Sequence, residues 1–242
     1  MQPANRVFRE RGTHLTRLDG FSDVVFGFAL TLLVVSLEVP KTFAELREVL
    51  GGFIAFAICF AFLIMVWHAH YKYFRRYGLE DTPTIALNAV LLFVVLFFVY
   101  PMKFLFAVLA RQMTGQYAPA DTPGTRAVFT SPAEVTQLMV LYGAGYAAVY
   151  LIFFFMYLRA WGQRGPLDLN KLERVMTVES MVDSGSNVLV GALCCAVAML
   201  LPGERSGLSG LVFMLIGPLR TVRGFYFGKK RRQALEESPV SA

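Results

Sequence analysis

The segment from Arg17 to Pro40, RLDGFSDVVFGFALTLLVVSLEVP, begins with charged side chains and then runs apolar for the length of a membrane crossing. From Phe21 to Glu38 a helix rises about 27 Å at ~1.5 Å per residue, close to the ~30 Å hydrocarbon core of a bilayer. Polar groups are costly in lipid, and a helix serving only as an anchor would not carry an Arg, two Asp and a Thr. One side of this helix is therefore predicted to face protein or water.

The composition is that of an integral membrane protein. The 242 residues are 56% hydrophobic and 17% charged, with 22 Phe, and the mean hydropathy is +0.53. One soluble core could not bury that much apolar surface. The net charge of +6 is spread over short basic clusters between apolar runs, which is typical of topology determinants and argues against a nucleic-acid surface.

The apolar runs predict an all-α protein of one domain, residues 1–242, with no internal repeat and a basic tail over 228–242. Six transmembrane helices are predicted, at 18–39, 50–72, 84–110, 132–158, 176–201 and 207–227. With the N-terminus inside, 17 of the 23 Lys and Arg fall on the cytoplasmic side. Both termini are therefore predicted to be cytoplasmic, and the chain to be a multi-pass protein of the cell's inner (plasma) membrane.

Four side chains of the first helix, Phe28, Thr31, Leu32 and Val35, follow the i, i+3, i+4, i+7 spacing of a single stripe. The spacing alone favours helix–helix packing, with the Thr31 hydroxyl bonded to a carbonyl of its own helix. The alternative is a pore lining, in which apolar rings constrict the path and a Thr ring contacts the permeating species.

Other polar side chains are predicted to lie near the cytoplasmic ends of the spans. Arg17, Asp23, His70 and Asn88 fall at a similar depth and are expected to form a network across helices, because a buried Asn needs partners. Trp67 and His70 also fit an interfacial aromatic belt. Glu179, Asp183 and Asn187 recur every four residues on the fifth span. The two acids could lie in the membrane interface, where acids favour a helix N-terminus. Alternatively, the three residues could form a cation-attracting vestibule or a proton relay.

The sequence lacks a TVGYG filter, an Arg-rich voltage-sensing helix and the Walker A, HExxH and GxSxG motifs, so nothing predicts an enzyme. Three scattered His and three Cys within apolar runs do not form a metal-ligand pattern, and no cofactor is expected.

Two motifs resemble the transmembrane-protein-175 family of potassium channels. Arg17-x-x-x-Phe21-Ser22-Asp23 is similar to that family's RxxxFSD signature at the mouth of helix 1. Trp67-x-x-His70-Tyr71-x-x-Phe74 is similar to its Trp-x-x-His-His-x-x-Phe stretch, with Tyr71 replacing the second His. Asn88 and the six predicted spans also fit, and the specific likeness covers roughly the first 110 residues.

The resemblance implies a homotetramer whose first helices line a central pore, with lipid and potassium ions as its other partners. It places the narrowest aliphatic ring at Phe28, where the family usually has Ile or Leu, a Thr layer at Thr31, and further apolar rings at Leu32 and Val35. Four Phe rings at that level would either close the pore or turn aside. The residues assigned to a supporting network, with no ion contact, are Arg17, Phe21, Ser22, Asp23, Trp67, His70 and Asn88.

We therefore expect a passive potassium-selective channel with a hydrophobic constriction in helix 1. Two alternatives remain at this point. A secondary transporter would show an internal repeat or broken helices around a midplane site. A non-conducting membrane subunit would use the helix 1 stripe for packing only.

Overall fold

The structure, a computed structural model, describes residues 8–35, 41–43, 53–113, 131–201 and 203–236, and within them the secondary structure is helical. The bounded α-helices are α1 (Arg17–Val35), α2 (Phe53–Tyr77), α3 (Thr82–Met113), α4 (Pro132–Gly162), α5 (Lys171–Leu200) and α6 (Ile216–Glu236), with a 3-10 helix at Gly203–Leu215. Residues 36–39 and 50–52, at the ends of the first two predicted spans, lie outside the described residues.

Among the described residues, four segments are long and apolar enough to cross a membrane: Thr82–Met102, Ala133–Gly162, Lys171–Leu200 and Arg205–Leu235. The all-helical membrane class predicted from the sequence is thereby confirmed.

Capping side chains fix where two of these helices begin. At α1, the Thr16 hydroxyl accepts from the Asp19 amide at 3.1 Å, and the Asp19 carboxylate accepts from the Thr16 amide at 3.2 Å. At α5, Asn170 and Glu173 form the same reciprocal capping box. This box starts α5 at Lys171, five residues before the start of the predicted span at 176.

The region of the sixth predicted span, 207–227, differs from one continuous α-helix. The 3-10 helix occupies its first part, which contains Gly207 and Gly210, and Ser206 donates to the Gly203 carbonyl at 2.8 Å. Glycine is a poor α-helix former, and Ser competes for backbone groups, so an α-helix is disfavoured here. The basic cluster at 229–232, predicted within a tail, instead continues α6, which reaches Glu236.

The helices pack in two connected groups. α1 contacts α2 and α3, whereas α4 packs most extensively on α5, which also carries the 3-10 helix and α6. Gly143 and Gly191 allow α4 and α5 to approach, because a Cβ on Gly191 would lie 2.7 Å from the Gly143 carbonyl oxygen. Gly185, also on α5, does not lie at this crossing, because a Cβ there would meet only the Phe154 ring at an ordinary contact distance of 3.7 Å.

An N-terminal arm, residues 8–12, ties the two groups together. Arg11 donates to both carboxylate oxygens of Glu173, at 3.1 and 2.7 Å, and the Glu173 side chain is 1% exposed. The Arg11 and Gly12 amides donate to the Arg75 carbonyl at the end of α2. A Cβ on Gly12 would lie 2.4 Å from the Phe74 carbonyl oxygen, so this close crossing requires glycine.

Candidate functional site

A chain of hydrogen bonds joins α1, α2 and α3. Ser22 donates to the Leu18 carbonyl at 2.8 Å, so its oxygen is free to accept from the Asn88 amide nitrogen at 2.9 Å. The Asn88 amide oxygen then faces His70 Nε2 at 2.8 Å, and this oxygen can only accept. The His70 Nε2 atom therefore carries the proton, and all three bonds run in one direction.

This chain is closed to solvent. Ser22, His70 and Asn88 are 0%, 2% and 1% exposed. The His70 ring lies between the rings of Phe26 and Phe74, with centroid distances of 5.5 and 4.6 Å. Because buried polar groups without partners are costly, the three side chains hold their helices in one relative arrangement.

A second bond fixes the rotation of α1. The Trp67 indole N–H donates to the Asp23 carboxylate at 2.8 Å. Ser22 and Asp23 are neighbours and project about 100° apart on a helix, so α1 is held to α3 by one and to α2 by the other. The network predicted from the sequence thus joins Ser22, Asp23, Trp67, His70 and Asn88.

The anchored helix has one buried face and one uncovered face. Ser22, Phe26, Ala29 and Leu33 are each at most 3% exposed, and α1 packs on α2 and α3. On the opposite side, Val24 and Phe28 are 71% and 56% exposed, and Thr31 is also exposed. Val24 was not among the predicted stripe residues, although it lies four residues before Phe28 and seven before Thr31.

The four side chains of the predicted stripe are not equivalent. Phe28 and Thr31 lie on the uncovered face, and Leu32 is half-buried at its edge. Val35 ends α1, and its side chain lies outside the described part of the chain. The Thr31 hydroxyl donates to the Gly27 carbonyl at 2.9 Å, as the packing interpretation expected, but it does so while facing outward.

Two predicted network members take no part in these bonds. Arg17 and Phe21 are exposed and line an open cavity of about 560 Å³ together with Glu80 and Ile85. Among the described residues, Arg17 makes no hydrogen bond or ion pair with another member of the network. The RxxxFSD motif is therefore divided. Ser22 and Asp23 bond to the neighbouring helices, whereas Arg17 and Phe21 are exposed.

The acids of α5 are paired. Glu179 forms an ion pair with Arg231, and Asp183 forms one with Arg223, so both acids bind α6. Asn187 donates to the Asp183 carbonyl at 2.8 Å and accepts from the Tyr146 hydroxyl at 2.6 Å. These contacts give Glu179 and Asp183 a packing function between α5 and α6.

The fold and this site define a class: an all-helical membrane protein whose first helix is bonded to two neighbours on one face and uncovered on the other. Residues 17–98, which hold the whole bonded network, match the family model described as endosomal/lysosomal potassium channel TMEM175. A protein of Marivirga tractuosa named potassium channel is 37% identical over 243 residues, which cover 96% of each chain. A potassium channel of Chamaesiphon minutus is 30% identical over 97 residues, covering 37% of this chain and 48% of that one.

A solved structure agrees over nearly the whole length. The crystal structure of a variant of the potassium channel MtTMEM175, in complex with a nanobody–MBP fusion protein, superposes with a TM-score of 0.80 at 36% identity. The match covers 94% of this chain and 98% of that one. The chain belongs to the TMEM175 family of potassium channels.

The first prediction concerns the buried bridge. Asn88→Ala leaves the His70 N–H buried without its acceptor and should lower the free energy of unfolding by about 1–3 kcal/mol. Ser186→Ala is the control. Within the described residues that hydroxyl bonds inside α5, to the Asp183 carbonyl, and its loss should cost less than about 0.5 kcal/mol. Equilibrium unfolding in mixed micelles measures both, and equal effects of the two substitutions would contradict the assigned role of Asn88.

Proposed function

We propose that this chain forms a homotetrameric, passive potassium channel of the plasma membrane, with both termini in the cytoplasm and α1 of each subunit lining the pore. The observation that carries the proposal is the division of α1 into two faces. One face is bonded to α2 and α3, and the other leaves Val24, Phe28 and Thr31 uncovered in a single chain.

The uncovered face of α1 would line a central pore if several subunits placed it around one shared axis. In a cyclic assembly the same face of each α1 meets its copies, so one side chain per subunit forms a ring. Phe28 would supply an apolar ring and Thr31 a ring of hydroxyls one turn away. The edge position of Leu32 suits contact between neighbouring copies of α1 as well as a further apolar ring.

The hydroxyl geometry at Thr31 suits a cation. Because its hydrogen points back to the Gly27 carbonyl, the lone pairs of the oxygen remain available on the uncovered side. Four such oxygens would compensate part of the hydration that a potassium ion loses beside an apolar ring. The bonded residues Ser22, Asp23, Trp67, His70 and Asn88 lie on other sides of α1 and would hold it without touching the ion.

The orientation is supported by charge and contact. The N-terminal arm contacts the basic end of α2 and the start of α5, so these segments share one side of the membrane. This side carries Arg11, Arg75 and Arg76, and basic residues favour the cytoplasmic side.

Passive conduction gives the direct functional test. Purified protein in liposomes should carry a potassium flux down its own gradient, and that flux should persist when proton and sodium gradients are removed. Dye-coupled flux assays measure both conditions. A flux that strictly requires a second ion gradient would instead identify a secondary transporter, and no flux would favour a non-conducting subunit.

The Thr31 ring gives a test of the pore assignment. Thr31→Val keeps the side-chain shape but removes the oxygen, and should reduce the preference for potassium over sodium by about tenfold, the order expected for one contact to a charged group. Reversal potentials in planar bilayers measure the ratio.

Thr221→Val is the matched control for that experiment. Thr221 is also exposed and also donates to a glycine carbonyl four residues back, Gly217, at 3.0 Å, but it lies on α6. Its substitution should leave the ratio unchanged. An unchanged ratio in the Thr31 variant would remove Thr31 from the selectivity-determining surface.

A further inference from the structure

A cavity of about 370 Å³ lies at the basic end of α2, apart from the network and from the uncovered face of α1. Lys72, Arg75 and Arg76 line it from α2, while Phe8 and Glu10 line it from the N-terminal arm. Three cations therefore share one cavity with a single carboxylate from the arm.

That carboxylate is already used by one of the three cations. Arg75 donates to Glu10 at 3.1 Å and to the Gly12 carbonyl at 2.7 Å. Lys72 and Arg76, in contrast, form no hydrogen bond or ion pair within the described part of the chain. The guanidinium of Arg76 is held over the Phe8 ring, 4.8 Å from its centroid.

Lys72 and Arg76 also repel each other. They are four residues apart on one helix face, an arrangement that disfavours the helix when both carry the same charge. The Arg231 guanidinium adds further positive charge within electrostatic range of Lys72. The two carboxylates in the same range, Glu179 and Asp183, are bound to Arg231 and Arg223. An anion in this cavity would relieve that repulsion.

We infer that this cavity binds the phosphate headgroup of an anionic phospholipid. The face of α2 that carries Lys72 and Arg76 continues toward the membrane interior with Met65 and Ile58. At ~100° per residue all four positions fall within a sector of about 40°, and both apolar side chains are exposed. From Ile58 to Arg76 this face is about 27 Å long at ~1.5 Å per residue, with cations at one end and apolar side chains at the other.

This face of α2 distinguishes a lipid from a soluble phosphate. A lipid places its phosphate on Lys72 and Arg76 and an acyl chain along Met65 and Ile58, whereas a free anion uses only the basic end. Basic pockets beside membrane helices on the cytoplasmic side bind anionic headgroups in this way. The inference rests on the proposed membrane orientation and does not depend on potassium conduction.

The test measures lipid affinity of the full-length, delipidated protein by native mass spectrometry, with phosphatidylglycerol and phosphatidylcholine as probes. The wild-type chain should prefer phosphatidylglycerol. Lys72→Gln/Arg76→Gln should weaken phosphatidylglycerol binding roughly 30-fold, as expected for two lost cations near a lipid surface, and leave phosphatidylcholine binding unchanged.

The matched control is Lys229→Gln/Arg232→Gln, which removes the same charge from exposed positions of α6. It should leave phosphatidylglycerol binding unchanged. Equal weakening by both double variants would show diffuse attraction and overturn the inference, as would full retention of binding in Lys72→Gln/Arg76→Gln. Displacement of the lipid by an equal concentration of inorganic phosphate would assign the cavity to a soluble anion and also overturn it.

A third variant should increase phosphatidylglycerol affinity, a result that a folding defect would not produce. Glu10→Gln removes the carboxylate from the cavity, frees Arg75 for the headgroup, and should strengthen phosphatidylglycerol binding roughly fivefold. Unchanged or weaker binding would contradict the assignment. Potassium flux from the same preparations tests the proposed function separately, since lipid binding with no flux would count against the channel alone.

Discussion

The hydrogen bonds that His70 donates to Asn88, and that Asn88 donates to Ser22, are the constraint on which the arrangement of α1 depends. In an apolar environment these groups cannot be left unpaired, and their geometry admits one direction of donation. Asp23, bonded to Trp67, then removes the remaining rotational freedom. The exposure of Phe28 and Thr31 on the far side of α1 follows from this anchoring, because a helix cannot bury one face without turning the opposite face away.

Ion pairs attach parts of the fold other than those held by the uncharged Ser22–Asn88–His70 hydrogen bonds. Arg11 binds Glu173, Arg223 binds Asp183 and Arg231 binds Glu179, so ion pairs attach the N-terminal arm and α6 to α5. At the start of α3, burial acts to raise the pKa of Asp81, but hydrogen bonds from Thr84 and Arg159 outweigh it and hold that pKa below its ordinary value. Asp81 thus stays ionised and joins α3 to the end of α4. Lys72 and Arg76, in contrast, have no ion-pair partner within the described part of the chain. Their cavity is therefore the one proposed to bind an anion.

The sequence pattern was sufficient for the helical membrane class. It also led to the expectation that Asp23, His70 and Asn88 bond across helices, because buried polar side chains within apolar runs need partners. Ser22 and Trp67 were assigned to the network only through the family resemblance. It was not sufficient for contacts between distant segments. Arg11 and Glu173 are 162 residues apart, and no local pattern pairs them. The α5 start could have been found from Asn170 and Glu173, which have capping-box spacing. The choice of Gly191 over Gly185 at the α4–α5 crossing depends on helix rotation, which spacing alone leaves open. Spacing likewise could not tell which face of α1 is buried within one chain, and the structure leaves Phe28 and Thr31 on the uncovered face.

The central claim is that the uncovered face of α1 surrounds a shared axis. Electron cryomicroscopy of the full-length protein in lipid nanodiscs tests it most directly, because it gives the number of subunits and the position of α1 in one measurement. The account predicts four copies around one axis, with Phe28 and Thr31 of each α1 facing that axis. An assembly in which α1 lies on the outer, lipid-facing perimeter would contradict it.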